Sequence, residues 1–189
     1  MTKIDIKSMN LSELIIFMEG LGEKAFRAKQ IYQWIHEKQV DRFEEMTNVS
    51  KKLKETLEEK TYLTALKKEE VQISQVDGTR KYLFLLEDGN VIESVLMRYK
   101  HGNSVCISSQ VGCRMGCRFC ASTLDGLVRG LTAGEMLDQI YQIGKDIGER
   151  ISNVVVMGTG EPLDNYENLL RFIELLTDEN GLNISQRNL

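Results

Sequence analysis

Cysteine is the residue type whose positions in this chain point most directly to chemistry. All four cysteines fall within fifteen residues, at Cys106, Cys113, Cys117 and Cys120. In a reducing compartment a disulfide framework is not expected, so clustered thiols indicate metal ligands or catalytic groups. The sequence therefore predicts that this short stretch carries a metal centre or a reactive thiol.

The last three cysteines have the spacing C-x3-C-x2-C, and Phe119 precedes the third of them. A structural zinc site normally takes four protein ligands, usually as two C-x2-C pairs, and the sequence has no second pair. Three thiolates can instead hold a 4Fe–4S cluster and leave one iron open to a substrate or cofactor. The spacing favours the cluster, and a four-cysteine zinc site that includes Cys106 is the alternative.

A second candidate site follows the apolar segment Val154–Met157, where the sequence continues as Gly158–Pro162, Gly-Thr-Gly-Glu-Pro. Glycines at the end of a parallel strand let the backbone approach a ligand closely, and a carboxylate can accept hydrogen bonds from an ammonium group. The alternative is an ordinary strand-to-helix turn. Together with the cysteines, the segment indicates a ligand site.

The cysteine spacing, with an aromatic residue before the last cysteine, resembles the cluster motif of the radical S-adenosylmethionine superfamily. This resemblance implies that Cys113, Cys117 and Cys120 hold a 4Fe–4S cluster whose open iron binds S-adenosylmethionine. In such enzymes the cofactor supplies the radical chemistry and the protein orients it. The glycine-rich segment resembles the superfamily's GGE-type motif, which implies that Gly160 and Glu161 contact the methionyl amino group.

Over essentially its full length, the chain resembles the dual-specificity RNA adenine C2 methyltransferase family. The segments that carry this resemblance are Phe26–Ile31, Cys106–Cys113 and Met157–Pro162. It implies a small helical accessory domain, a linking set of strands and a partial (β/α)6 barrel. It also implies methylation of an adenine C2 carbon in 23S rRNA and in certain tRNAs, through a methyl-cysteine intermediate.

The same resemblance gives catalytic roles to two residues outside the cluster motif. Cys106 helps to resolve the covalent RNA adduct, through a disulfide with the methyl-carrying cysteine. Glu93 accepts the C2 proton as a general base. For Cys106 the alternative is a small buried strand residue. From the sequence alone, Glu93 is interpreted as a solvent-facing strand residue, and only the resemblance gives it a catalytic role.

Two other functions are compatible with these motifs. The related adenine C8 methyltransferase of the antibiotic-resistance type shares the cysteines but typically has alanine where this chain has Pro162. A non-enzymatic, zinc-bound RNA adaptor would use the cysteines without S-adenosylmethionine.

With all four cysteines assigned, none is left to carry the methyl group. We therefore expect the carrier cysteine to lie beyond Leu189 and this polypeptide alone not to methylate RNA. Two βα units cannot close a barrel, and residues 183–189 are typical of the approach to another strand. The chain is therefore expected to be a fragment.

Periodicity divides the chain into three expected parts, which together make an α/β protein. Apolar residues at helical spacing predict a helical accessory domain over residues 1–65, with a capping box of Asn10 and Glu13 at its first helix and with Leu53 and Leu57 facing inward on its third. Alternation with period two predicts a β-meander over residues 66–103. After the cysteines, a helix, an apolar strand and a second helix predict a parallel sheet with buried faces. Residues 104–189 are therefore expected to form the start of a truncated core domain. The predicted strands are 71–76, 80–86, 91–98, 104–108 and 151–157, and the predicted later helices are 133–144 and 166–176.

Composition bounds the partners and the compartment. A formal net charge of -4 argues against binding RNA by overall attraction, so any RNA contact must be local. No apolar run approaches the ~20 residues that a membrane span requires, which predicts a cytoplasmic protein without membrane contact. We also expect a monomer that receives electrons from a donor such as flavodoxin or ferredoxin.

Overall fold

The computed structural model describes residues 3–189, which form a mixed α/β fold. Its α-helices are α1 (Leu11–Gly20), α2 (Ala25–His36), α3 (Lys51–Lys60), α4 (Ala133–Ile147) and α5 (Tyr166–Thr177). Its strands are β1 (Ile4–Asp5), β2 (Thr61–Tyr62), β3 (Lys67–Ile73), β4 (Arg80–Leu85), β5 (Val91–Tyr99), β6 (Gly102–Cys106), β7 (Gln110–Gly112), β8 (Leu127–Gly130) and β9 (Ile151–Val155). Short 3-10 turns, one of them at Pro162–Asn165, connect several of these elements.

Helix α1 begins at the predicted capping box. The Asn10 side chain accepts a hydrogen bond from the Glu13 backbone N–H at 2.9 Å, and the Glu13 carboxylate accepts one from the Asn10 N–H at 3.1 Å. These contacts satisfy two of the N–H groups that a helix start leaves without partners. In α3 the predicted inward residues, Leu53 and Leu57, are both buried. The helical N-terminal region is therefore confirmed at both of these points.

The central sheet has five strands in the order β3-β4-β5-β6-β9. Strands β3 to β6 pair antiparallel with their neighbours in sequence, which confirms the predicted meander. Strand β9 then pairs parallel with β6, as predicted for the apolar segment after the cysteines. Strand β6 therefore belongs to both parts, ending the meander and starting the parallel layer.

Strand β3 runs over 67–73, whereas the sequence predicted 71–76. Its first four residues, Lys67–Glu70, are all charged, so they carry no apolar alternation, yet they pair with β4 at the edge of the sheet. Charged residues are common on such edges because they discourage pairing with other chains. Residues 74–79 form a turn, in which Ser74 N donates to Thr79 O at 2.9 Å.

The expectation that both faces of the apolar strand are buried is only partly met. Ile151 and Val154 are buried in β9, but Val155 is half-buried and Met157, beyond the strand end, is 79% exposed. Helix α4 covers one face of the sheet, where Ser94 of β5 donates a hydrogen bond to Gln139 of α4 at 2.7 Å. The other face is more open, and it carries Glu93 of β5 and Cys106 of β6.

The helical region and the core share a buried polar contact. Lys7 and Asp138 of α4 form an ion pair in which both side chains are fully buried. Asp138 also accepts a hydrogen bond from the Leu66 backbone N–H at 2.6 Å. No helix in residues 3–189 is long and apolar enough to cross a membrane.

Candidate functional site

The three clustered cysteines lie on one loop, residues 113–126, which we call the cysteine loop. It connects β7 to β8, a short antiparallel hairpin that the sequence did not predict. At its base Cys113 N donates to Gly126 O at 3.0 Å. Gly112 has a φ of +71°, and a Cβ at this position would collide with the Gly126 carbonyl oxygen. Glycine is therefore required where the chain enters the loop.

The three thiols differ in exposure. Cys113 is buried, Cys120 is half-buried and Cys117 is exposed, and none of them forms a disulfide. Within residues 3–189, no three His, Cys, Asp or Glu side chains are already arranged to bind a metal ion. The four-cysteine zinc arrangement is therefore not preassembled, and neither is a three-thiol one.

The second predicted motif, Gly158–Pro162, is called the GTGEP segment and lies against the chain just before the cysteine loop. The Gly158 N–H donates to Ile107 O at 2.9 Å. Thr159 O accepts hydrogen bonds from Ser109 N at 2.9 Å and from Gln110 N at 3.2 Å. These backbone contacts bring together two motifs that are about forty residues apart in sequence.

Gly160 and Glu161 are held by Gln110. Gly160 has a φ of +107°, and a Cβ there would lie 2.6 Å from the Cβ of Gln110. The Glu161 N–H donates to Gln110 Oε1 at 2.8 Å. The Glu161 carboxylate accepts from Leu163 N at 3.1 Å, so it also caps the following 3-10 turn. The carboxylate thus makes the contact expected of an ordinary turn, while the Glu161 backbone is held by Gln110, three residues before the cysteine loop.

Cys106 is the last residue of β6 and faces away from α4. Its ladder partners are Val95 on β5 and Val155 on β9. Its side chain is half-buried, and this burial raises the pKa of the thiol, with an opposing contribution from the Met157 backbone N–H. Cys106 is thus a protected thiol on the open face of the sheet.

Glu93 lies on the same open face as Cys106. On β5, Ile92 and Ser94 are buried toward α4, and Glu93 points the other way because side chains alternate along a strand. The Glu93 side chain is 49% exposed and pairs with Lys81 Nζ at 2.7 Å. This partly solvated ion pair agrees with the solvent-facing interpretation of Glu93. Glu93 nevertheless lies on the same face of the sheet as Cys106.

Sequence reasoning missed the polar residues that hold these segments together. Gln139 of α4 accepts from the Ser108 N–H at 2.9 Å and donates to Ser108 O at 3.0 Å. Asn165 donates to Ser109 O at 2.9 Å and to Leu131 O at 2.8 Å. The available signal was the run Ser108-Ser109-Gln110 directly before the cysteine motif. Its members are no more than 2% exposed, and buried polar residues require partners.

The surface around the cysteine loop carries exposed apolar side chains. Phe119 is 95% exposed, Leu124 80% and Met157 79%. A cleft of about 780 Å³ lies elsewhere, between residues 62–67, the β4–β5 turn and the start of α4. The cysteine loop is therefore an open surface and not an enclosed pocket.

The residues fit a three-thiolate cluster on two observations. The donor set is three unpaired thiols on a single loop with a fixed base, which suits a centre that keeps one iron open. The second observation is that the GTGEP backbone packs directly on Gln110, three residues before Cys113, because Gly160 has no Cβ to collide with the Gln110 side chain.

Comparison with known proteins gives two family matches. Residues 4–63 match the family model described as "Ribosomal RNA large subunit methyltransferase N-terminal domain", and residues 107–187 match the "Radical SAM superfamily" model. Proteins of the radical SAM RlmN family use a 4Fe–4S cluster and S-adenosylmethionine.

Relatives align with the whole chain. A "Probable dual-specificity RNA methyltransferase RlmN" from Lachnospira eligens is 66% identical, over 98% of this chain and 53% of its own length. A protein with the same description from Alkaliphilus oremlandii is 58% identical, over 100% of this chain and 55% of its own length. The chain thus spans about half the length of the curated relatives it matches.

A solved structure agrees with these matches. The crystal structure of a radical SAM methyltransferase from Sphaerobacter thermophilus superposes with a TM-score of 0.89 at 37% identity, over 98% of this chain and 55% of that one. Because both family models match and the relatives align along essentially the entire sequence, the chain belongs to the RlmN family of the radical SAM superfamily.

Proposed function

We propose that this chain binds a 4Fe–4S cluster and S-adenosylmethionine, as part of a protein that methylates the C2 carbon of an adenine in 23S rRNA and in certain tRNAs. The observation that carries the proposal is the contact between the GTGEP segment and the residues just before the cysteine loop. The contact supports the proposal because a ligand bound by both motifs requires the segments that carry them to lie next to each other.

In this proposal Cys113, Cys117 and Cys120 hold the cluster. Gly160 and Glu161 bind the amino group of the methionyl part, because a backbone carbonyl and a carboxylate both accept hydrogen bonds from an ammonium. The bound cluster and cofactor supply the radical chemistry. The exposed apolar side chains Phe119, Leu124 and Met157 are placed to be covered on binding and to keep water from the site.

Cys106 and Glu93 are proposed to act on the covalent RNA adduct, with Glu93 as the acceptor of the C2 proton. The Cys106 thiolate attacks the sulfur of the methyl-carrying cysteine, so that a disulfide forms as the bond from that sulfur to the adduct carbon breaks and its electron pair passes to the released methyladenine. Support comes from the shared position of Cys106 and Glu93 on the open face of the sheet. The partly exposed Glu93 can exchange its proton with solvent, which a base that turns over must do. Its ion pair with Lys81 has to open for it to do so.

The proposal extends to organisation and partners. The chain divides into a helical accessory domain (1–65), a strand linker (66–103) and the start of the core domain (104–189), which is supported by family matches that end at residue 63 and begin at residue 107. RNA is the proposed substrate, flavodoxin or ferredoxin the electron donor, and the protein is a cytoplasmic monomer. Pro162 favours C2 over C8 as the methylated carbon, and mass spectrometry of the modified adenosine from cells that make the protein would distinguish the two.

Anaerobic reconstitution of the 189-residue chain with iron and sulfide tests the core of the proposal. We expect about four irons per chain and a broad visible absorption for a three-thiolate cluster. Cys117→Ser should lose this absorption, and the matched variant Cys106→Ser should retain it. Stoichiometric zinc without colour would instead support the four-cysteine zinc adaptor. Equal loss of the absorption in both variants would show that Cys106 is a fourth cluster ligand, which contradicts an open iron.

A further inference from the structure

The cysteine loop and the GTGEP segment are joined by a side-chain connection that neither motif contains. Gln110 Nε2 donates to Asp164 Oδ2 at 3.0 Å, and Arg114 Nε donates to Asp164 Oδ1 at 3.1 Å. Arg114 directly follows Cys113, and Asp164 lies two residues after Pro162. We call this set the Gln110–Asp164–Arg114 bridge.

The orientation of the Gln110 amide is fixed by its two partners. Its Oε1 accepts from the Glu161 backbone N–H at 2.8 Å, and its Nε2 donates to a carboxylate. A flipped amide would set its NH2 group against an N–H donor and its oxygen against a carboxylate, so only one orientation satisfies both. Gln110 is 1% exposed, and its side chain therefore holds Glu161 and Asp164 in one fixed relation.

Asp164 extends this relation to the thiol donors. Its Oδ1 also accepts from Arg114 Nη2, which makes the contact a two-point one from a single guanidinium. In the described part of the chain, this is the one hydrogen-bonded or ionic contact between residues 114–119 and anything outside the cysteine loop. The exposed stretch that carries Cys117 is thus tied to the core through Asp164.

The Arg114–Asp164 part of the bridge is poorly explained by stability alone. The Arg114 side chain is 62% exposed, and an ion pair with so much solvent contact adds little to the free energy of folding. A fixed distance between two segments that bind one ligand can also strengthen binding, because no conformational entropy is then lost in ordering the segments.

We propose that Gln110 and Asp164 are positioning residues that set Glu161 and the cysteine loop at the spacing required by a ligand that contacts both. This inference rests on the proposed function and deepens it, since the ligand would be S-adenosylmethionine bound to the cluster. Neither side chain is assigned a contact with the cofactor. Their effect is transmitted through the Glu161 backbone and through Arg114.

The test is a titration of the reconstituted, reduced chain with S-adenosylmethionine, followed by the change in the electron paramagnetic resonance spectrum of the cluster. Asp164→Asn and Gln110→Ala should bind iron at the wild-type level, because the three thiols are unchanged. Both should need about tenfold more S-adenosylmethionine for the half-maximal spectral change, and the double variant should need little more than either single one, since the residues act as one unit.

Asp41→Asn is the matched control. Asp41 Oδ1 accepts from Gln142 Nε2 at 2.8 Å and from Lys145 Nζ at 2.7 Å, so it too joins an amide to a cation. Its titration should match the wild type. Rescue by Gln110→Glu is not expected, because that change would face one carboxylate with another.

The outcomes separate this inference from the proposed function. A wild-type chain that assembles no cluster or shows no response to S-adenosylmethionine would overturn both. A normal wild-type response with unchanged Asp164→Asn and Gln110→Ala would overturn the bridge alone. If Gln110→Ala fails to fold, the Asp164→Asn titration decides by itself, because that replacement is nearly isosteric and leaves the Gln110 hydrogen bond to the Glu161 backbone in place.

Discussion

The side-chain amide of Gln139 binds both backbone groups of Ser108. Its Oε1 accepts from the Ser108 N–H at 2.9 Å, and its Nε2 donates to the Ser108 carbonyl oxygen at 3.0 Å. The Ser108 hydroxyl in turn donates to Glu93 O at 2.7 Å and accepts from Thr159 N at 2.9 Å. One helix residue therefore fixes the point where β6 ends and the segment leading to the cysteine loop begins.

Replacing Gln139 by leucine should lower the free energy of unfolding by about 3–5 kcal/mol. Loss of this fully buried amide would leave the Ser108 N–H, the Ser108 carbonyl and the Ser94 hydroxyl without partners. Each unsatisfied buried group costs about 1–3 kcal/mol. Urea denaturation followed by circular dichroism measures the change. Gln33→Leu, on the exposed side of α2, should stay within about 0.5 kcal/mol of wild type. Equal effects of the two variants would contradict the assignment.

The fold could be predicted where local chemistry determines it. The Asn10–Glu13 capping box and the inward Leu53 and Leu57 follow from residue types at fixed spacing. The β7–β8 hairpin could not be predicted this way, because its strands are three and four residues long and are separated by the cysteine loop. Its pairing depends on Gly112 and Gly126 meeting across that loop, which no short sequence pattern encodes.

The candidate site was predicted as two motifs but not as one arrangement. Spacing singled out the cysteines and the GTGEP segment, since each is contiguous in the sequence. The contact of Gln110 with Asp164 joins residues 54 positions apart and depends on β6 and β9 being neighbours in the sheet. Side-chain exposure was also not predictable, and Glu93 is a partly solvated ion-pair partner of Lys81.

Lys7→Met should destabilise the protein by about 3–5 kcal/mol. The substitution leaves Asp138 as a buried charge without its cation, and breaking one side of a buried pair typically costs this much. Lys145→Met removes a cation from the surface pair with Asp41 and should cost no more than about 1 kcal/mol. Thermal and urea unfolding would measure both. A small effect at Lys7 would mean that the buried ion pair contributes little to the free energy of unfolding.

The free energy of unfolding should decrease as the pH is lowered, and His36 should account for part of this decrease. Burial, with a further contribution from Lys7, lowers the pKa of His36 from 6.5 to about 3, so the folded protein keeps this ring neutral. Below pH 6.5 the unfolded chain takes up a proton that the folded chain does not, and stability is lost as the pH falls from 6.5 toward 3. Between pH 6.5 and 4.5 this amounts to about 2–3 kcal/mol.

The His36 contribution can be isolated with two variants. His36→Gln should show a flatter decline of the free energy of unfolding between pH 6.5 and 4.5 than wild type. His101→Gln is the control, because His101 is the other histidine and is exposed. Parallel pH curves for wild type and His36→Gln would show that His36 is protonated in the folded state.

In the metal-free chain, Cys106 should react with iodoacetamide more slowly than Cys117. Alkylation requires a thiolate that reagent can reach, and Cys117 is exposed whereas burial raises the pKa of the Cys106 thiol. Peptide mapping by mass spectrometry should give a several-fold rate difference at pH 7.5. The pH midpoint for Cys106 should lie above that of a cysteine in an unstructured peptide. A midpoint below that of the peptide would indicate an activated thiol and not a protected one.

Gly112 and Gly116 offer a matched test of the cysteine loop, since their φ angles are +71° and +70°. Alanine at Gly116 meets no atom within 4 Å and should cost only the left-handed backbone conformation, about 1 kcal/mol. Alanine at Gly112 must also displace the Gly126 carbonyl, which accepts the Cys113 N–H, and should cost about 3 kcal/mol or more. Because that displacement opens the base of the loop, Gly112→Ala should also lower the iron bound after reconstitution, whereas Gly116→Ala should bind iron as wild type does. Equal iron content in the two variants would show that the thiol donors assemble without the fixed loop base.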